Sequence, residues 1–259
     1  MRRCAYCGGA GPLTREHLFP DFLVRESPGY RTYVDRARGE RVHKSSPAIR
    51  DVCKRCNSGP LSALDAYGRM LTRDYFCRPD APTFPVRMTI DYPPLSRWLL
   101  KLSYNAARAQ GAPEAEYEPV IPYILGDGEA PKSATTVLIG VIAPVPAAPE
   151  EVARGLDAVW HPGVHTIGKL TVRIMSERVL LAKLVSFNWY VFGVIVWTTG
   201  TARPARRRAV EGIEQFNGMV ELKRGASTVV VPRPFMDART WAMTVIRGGG
   251  EMTAQIPPE

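Results

Sequence analysis

Two cysteine pairs, Cys4-Ala5-Tyr6-Cys7 and Cys53-Lys54-Arg55-Cys56, constrain this chain more than any other feature. A pair of thiolates with two residues between them presents both sulfurs to one tetrahedral ion, and two such knuckles complete a closed four-sulfur zinc site. Residues that are far apart in sequence must therefore meet. The stretch between the knuckles, 8–52, is longer than the spacer of a simple zinc finger, so it has to house structure of its own. Its apolar residues Leu13, Leu18, Phe19, Phe22, Leu23 and Val24 make a core too small to hold a fold unaided. A structural zinc ion, contributing roughly 10 to 16 kcal/mol of apparent folding free energy, makes up that deficit.

Inside this stretch stands Arg15-Glu16-His17-Leu18-Phe19-Pro20, and Asn57 follows directly after Cys56. From Cys4 to Asp65, about a quarter of the chain, these motifs resemble the HNH endonucleases with their ββα-metal fold, in the zinc-stapled variety. In that family an acid-histidine pair ends the first strand of a hairpin, and a His or Asn opens the following helix. The resemblance implies Glu16 as a ligand of a catalytic divalent ion, His17 as general base and Asn57 as second ligand of that ion. It also implies DNA as substrate, with RNA as the alternative.

The chemistry wants those residue types. Phosphodiester hydrolysis needs a water deprotonated near neutral pH, and an imidazole with an ordinary pKa of about 6.5 suits that task. Magnesium or manganese, held by oxygens and completed by water and phosphate, stabilises the charge that develops on the transferred group. Zinc at Cys4, Cys7, Cys53 and Cys56 and magnesium or manganese at the oxygens are separate ions with separate roles. Two family features have no counterpart. Many members carry an Asn shortly before the second knuckle, where this chain reads Ser45-Ser46-Pro47-Ala48-Ile49-Arg50-Asp51; a further ligand four residues after Asn57 is replaced by Leu61. A second expectation follows, a zinc-containing nucleic-acid-binding protein without catalysis.

Composition narrows the classes further. Four of the five cysteines sit in the two pairs, which suits a reducing cytoplasm better than a disulfide framework, and Cys77 is expected to be a buried thiol. No apolar run approaches the roughly 20 residues that cross a bilayer, and Met1-Arg2-Arg3 leads straight into a knuckle without a secretion signal, so a soluble cytoplasmic protein is expected. The net charge of +9 favours polyanions. Arg31, Arg36, Arg38, Arg41, Lys44, Arg50, Lys54 and Arg55 crowd the segment between the Glu-His pair and the second knuckle, where they are placed to neutralise phosphates.

After Asn57 a turn at Gly59-Pro60 leads into a short helix with Leu61 and Leu64 inward. Prolines 79 and 82 mark a boundary, giving a nuclease module over 1–80 and a second domain over 81–259. In the second, Leu95, Trp98, Leu99, Leu102 and Ala106 recur at helical spacing and predict an amphipathic helix on a sheet. Strands are expected at 86–90, 136–142, 170–174, 179–185, 189–198, 220–222 and 229–231, with a hairpin turn at Arg224-Gly225-Ala226-Ser227. The fold class is α+β: a zinc-stabilised ββα module, then an α+β domain with a mainly antiparallel sheet. His161 and His165 flank Pro-Gly and read as a turn, Arg203 to Arg208 as a solvated basic helix start, and the tail from Arg247 as frayed. A small-molecule or partner sensor in the second domain is a third expectation.

Overall fold

The computed structural model describes residues 2–26, 33–35, 41–43, 48–78, 80–109, 114–129, 134–155, 157–160, 162, 165–174, 177–178, 180–197, 200–248 and 252–256. It is a mixture of helix and mainly antiparallel sheet in two compact units, one of residues 1–77 with 93–134, the other of 78–92 with 135–259. The units do not divide at residue 80. The long helix that the sequence reading gave to the second domain packs into the cysteine-bearing unit.

In the first unit β1 (Leu13–His17) pairs antiparallel with β4 (Ala48–Cys53). Asp51 is an extra residue on β4, since Thr14 faces Val52 while Arg15 faces Arg50, and such a bulge twists the ribbon locally. Between the two strands lie helix α1 (Asp21–Glu26) and a small hairpin of β2 (Tyr33–Asp35) with β3 (Arg41–His43). A helical run over 54–76, α2, follows β4 at once, with π-helical turns at Asn57–Leu61 and Thr72–Phe76. It starts six residues before the expected Pro60, and the turn signal appears as a kink at Gly59 (φ −103°, ψ −108°) inside the run.

Helix α3 (Tyr92–Ala109) and the short α4 (Ile121–Leu125), which ends at left-handed Gly126, complete this unit. Helix α3 is buried nearly all round, so its polar residues need partners. Ser96 pairs with the Tyr123 hydroxyl at 2.6 Å and Ser103 with the Tyr117 hydroxyl at 2.7 Å. Its approach to α2 is so close that a Cβ at Gly68 would lie 2.2 Å from the Trp98 ring. The core holds Leu23, Val52, Leu61, Leu71, Phe76, Leu95 and Trp98, all fully enclosed.

The second unit is built on one large sheet, with two separate two-stranded pairs. Strands β6 (Thr135–Ala143), β9 (His165–Ile174), β10 (Glu177–Arg178), β11 (Leu180–Phe187), β12 (Tyr190–Trp197) and β13 (Val220–Glu221) run in the order β10-β9-β11-β12-β6-β13, all antiparallel. Strands β15 (Met236–Asp237) and β16 (Met252–Ile256) add parallel pairs at β6 and β9, so part of the tail expected to fray is strand. Arg224-Gly225 does form a turn, with Gly225 at φ +78°, yet its flanks do not make a hairpin: β13 pairs with β6, and β14 (Thr228–Val231) with β5 (Val86–Thr89). Strands β7 (Val145–Pro146) and β8 (Val159–Trp160) pair with each other, and helices α5 (Pro149–Ala153), α6 (Arg203–Asn217) and α7 (Ala238–Gly248) complete the unit. Among the described residues no helix is long and apolar enough to cross a membrane.

Candidate metal centre and the acid-histidine strand

The first knuckle is a tight turn closed by Gly8 N–H donating to the Cys4 carbonyl and Cys4 N–H donating to the Gly9 carbonyl, both at 2.9 Å, with Gly8 left-handed at φ +67°. The Ala5 N–H donates to the carbonyl of the bulged Asp51, fastening the knuckle to β4. Cys53 ends that strand and Cys56 lies in the first turn of α2, so the second knuckle is made at a strand-to-helix junction. The ligand atoms of Cys4, Cys7, Cys53 and Cys56 all lie within 4.8 Å of one another, and none forms a disulfide. Cys7 Sγ and Cys53 Sγ are 3.8 Å apart, and a tetrahedron with zinc–sulfur bonds of about 2.3 Å has edges of about 3.8 Å.

The thiols also show why a cation belongs there. Burial opposes ionisation of Cys4, but N–H donors from Cys53, Cys7 and Tyr6 outweigh it and bring that thiol down to about 7. Burial and the neighbouring thiols push Cys56 well up. Four sulfurs this close cannot all ionise without a positive charge among them, which a zinc ion would supply. Cys77, half-buried, stands outside this group.

The acid-histidine pair ends β1. Along β1 the side chains alternate, with Arg15 exposed, Glu16 buried and His17 half-buried, so Glu16 and His17 leave opposite faces of the strand. Glu16 is 4% exposed. Its Oε1 accepts from Lys101 Nζ at 2.8 Å and from Asn105 Nδ2 at 3.2 Å. The same Lys101, 1% exposed, donates to Asp65 Oδ2 at 2.6 Å, and Asp65 Oδ1 accepts from Trp98 Nε1 at 3.2 Å. Burial raises the Asp65 carboxyl above the ordinary range against the pull of Lys101.

Asn57 sits where a second ion ligand was expected, in the first turns of α2, but its amide nitrogen works as a clamp. It donates to Thr14 Oγ1 and to the Arg15 carbonyl, both at 2.8 Å, while Thr14 Oγ1 donates to the Val52 carbonyl. Asn105 holds the other end of the strand, donating to the His17 carbonyl at 3.0 Å. Its Oδ1 accepts from the Tyr6 hydroxyl and from Arg108, which also pairs with Asp51. Two asparagines from two helices thus secure β1.

A four-sulfur zinc ion fits the residues present; a divalent ion on Glu16 Oε1 would have to compete with the Lys101 ammonium already bonded there. An ion on the bonded oxygen, about 2.1 Å out, would lie within about 5 Å of the ammonium, and charges of +2 and +1 there repel by roughly 7 kcal/mol at an effective dielectric near 20. Sequence reading missed Lys101, Asn105 and Arg108. Their signal was a polar stripe at spacings of four and three along a largely apolar helix, which reads equally as a solvated face.

Arg50, Lys54 and Arg55 of the expected basic segment are exposed. Arg31, Arg36, Arg38, Lys44 and the Arg41 side chain lie outside the described residues, as do His161 and the His165 side chain. Arg207, near the start of α6, is exposed and pairs with Glu211 at 2.6 Å, as a solvated helix face does. No family model, curated protein or solved structure matches this chain.

Proposed function

We propose that this is a DNA-directed cytoplasmic protein whose first unit is a zinc-stapled, HNH-like module that holds the phosphate backbone on its β1–β4 hairpin. One observation carries the reading. Arg15 and Arg50 stand directly opposite each other across the hairpin, and both are exposed. Like charges so placed destabilise a strand pair by a few tenths to about 1 kcal/mol, and a bound phosphate reverses the sign of that interaction. Lys54 and Arg55 follow at the exposed start of α2, extending the basic face past the second knuckle. The net charge of +9 adds long-range attraction to a polyanion. RNA is the alternative partner.

Fluorescence anisotropy with a labelled DNA duplex over a salt series tests this. The zinc-loaded protein should bind with a steep salt dependence, and Arg15→Ala with Arg50→Ala should lower the log–log slope by about two, one per phosphate contact, with zinc content unchanged. An unaltered slope would refute the hairpin as the binding face.

Hydrolysis is the second reading, a metal-dependent HNH endonuclease with His17 as general base. It is favoured by Asn57, whose two N–H bonds to β1 leave Oδ1 as its ligating atom close to the strand that ends in His17. Here His17 would take the proton of the attacking water; magnesium or manganese would supply charge stabilisation when bound. Glu16 would have to leave Lys101 to serve as a ligand, and for that reason binding without catalysis ranks first. Plasmid nicking in magnesium or manganese that disappears in His17→Ala would reverse the order, whereas nicking undiminished in that variant would remove His17 as the base.

A further inference from the structure

The interior of the first unit contains a carboxylate pair with a single occupant. Glu16 comes from β1, Asp65 from α2 and the ammonium of Lys101 from α3, and the nitrogen lies 2.8 Å from one carboxylate and 2.6 Å from the other. Carboxylate oxygens are the usual ligands of a hard divalent ion. Here the cation is covalently part of the chain.

We propose that the Lys101 ammonium is the resident cation of the Glu16–Asp65 pocket, so that no divalent ion is bound there and the unit engages its polyanion without one. The second half rests on the nucleic-acid reading above; the first half stands on the geometry alone.

Three features support it. Lys101 is 1% exposed, so its charge needs both carboxylates, and removing either would leave a buried ion underpaired. Each acid also takes a second donor: Asn105 donates to Glu16 Oε1, and the Trp98 indole to Asp65 Oδ1. Finally, the ammonium ties three elements together at one point, which a hydrated magnesium ion, keeping several waters, would need a larger cavity to do. The sequence distance from Glu16 to Lys101 also explains why Glu16 looks like an ion ligand when residues 4–65 are read alone.

The test uses the wild-type, zinc-loaded full chain with lysine labelled at 15Nζ. A protected ammonium resonance, assigned to Lys101 by its loss in Lys101→Arg, is expected to persist unshifted in millimolar magnesium. In a chain carrying fluorotryptophan, the Trp98 resonance is expected to keep its width when manganese is titrated in. A shift of the ammonium signal with magnesium, or paramagnetic broadening of Trp98 that disappears in Glu16→Gln, would overturn the assignment. Duplex anisotropy in chelator that leaves zinc bound reads the second half separately. Binding unchanged there supports it, binding that appears only on adding magnesium refutes it, and failure to bind duplex under any condition refutes the nucleic-acid reading while the resonances still decide the resident cation.

Discussion

Replacing Lys101 by Met keeps most of the side-chain volume and removes the charge, which isolates the electrostatic part of the cluster. Two carboxylates then lose their cation: Glu16, 5% exposed in its side chain, and Asp65, 29% exposed. Breaking a buried pair from one side costs about 3 to 5 kcal/mol. Asp65 keeps some water, so a loss of about 3 to 4 kcal/mol at neutral pH is expected, a large part of the roughly 5 to 15 kcal/mol that holds a domain together. The loss must also depend on pH. The folded Asp65 carboxyl already titrates above its ordinary 3.8 because burial outweighs Lys101, and without Lys101 its largest downward influence is gone. For a raised carboxyl, stability is fully present below the unfolded value and is lost as pH rises through the folded value. The mutant should therefore recover towards wild type on acidification from neutral pH. Urea unfolding can be followed on fluorotryptophan, because Trp98 is the one tryptophan of five that lies in the first unit. A neutral-pH loss below about 1 kcal/mol, the scale of an exposed pair, or a loss independent of pH, would refute the account of the cluster.

Zinc analysis should find one ion per chain, and Cys56→Ser should lose it together with most of the protection of β1, β4 and α2 in hydrogen exchange, since the ion's roughly 10 to 16 kcal/mol is folding free energy for a unit with a small core. Gly68→Ala should destabilise the first unit by about 1 to 3 kcal/mol in thermal unfolding, because the overlap of the new Cβ with the Trp98 ring exceeds the gain of about 1 kcal/mol in helix propensity.

The knuckles were legible in the sequence because the geometry that joins them is local: each pair lies within one turn, and the chemistry of four thiolates leaves one economical solution. The strands of the second unit were legible for a similar reason, since β6 and β12 are runs of β-branched and aromatic residues with turn residues at their ends. What was not legible depended on distant partners. Nothing near Gly225 says that β13 joins β6 while β14 joins β5, because a turn fixes only its own four residues. Nothing near Pro60 says that α2 begins at Lys54, because the thiolate knuckle holds the first turn ahead of the proline. Helix α3 was placed in the wrong company for the same reason, its periodicity recording that it is buried without recording against what.

The acid-histidine strand shows the same division at the level of chemistry. A glutamate beside a histidine can be a metal ligand or half of an ion pair, and the two states differ only in which cation the fold delivers. Residues 4–65 contain every part of the ligand reading, yet the deciding group arrives from Lys101 on a helix outside that segment. Asn105, one turn further along α3, bonds both the Glu16 carboxylate and the His17 carbonyl, so the helix that supplies the cation also fixes the strand on which the imidazole is carried. The strand is thus held near both ends, by the four-cysteine cluster, which could hold a zinc ion, and by the Lys101 ammonium between its two carboxylates. A chelator should strip an ion from the sulfurs and leave the ammonium in place, and that asymmetry separates the two.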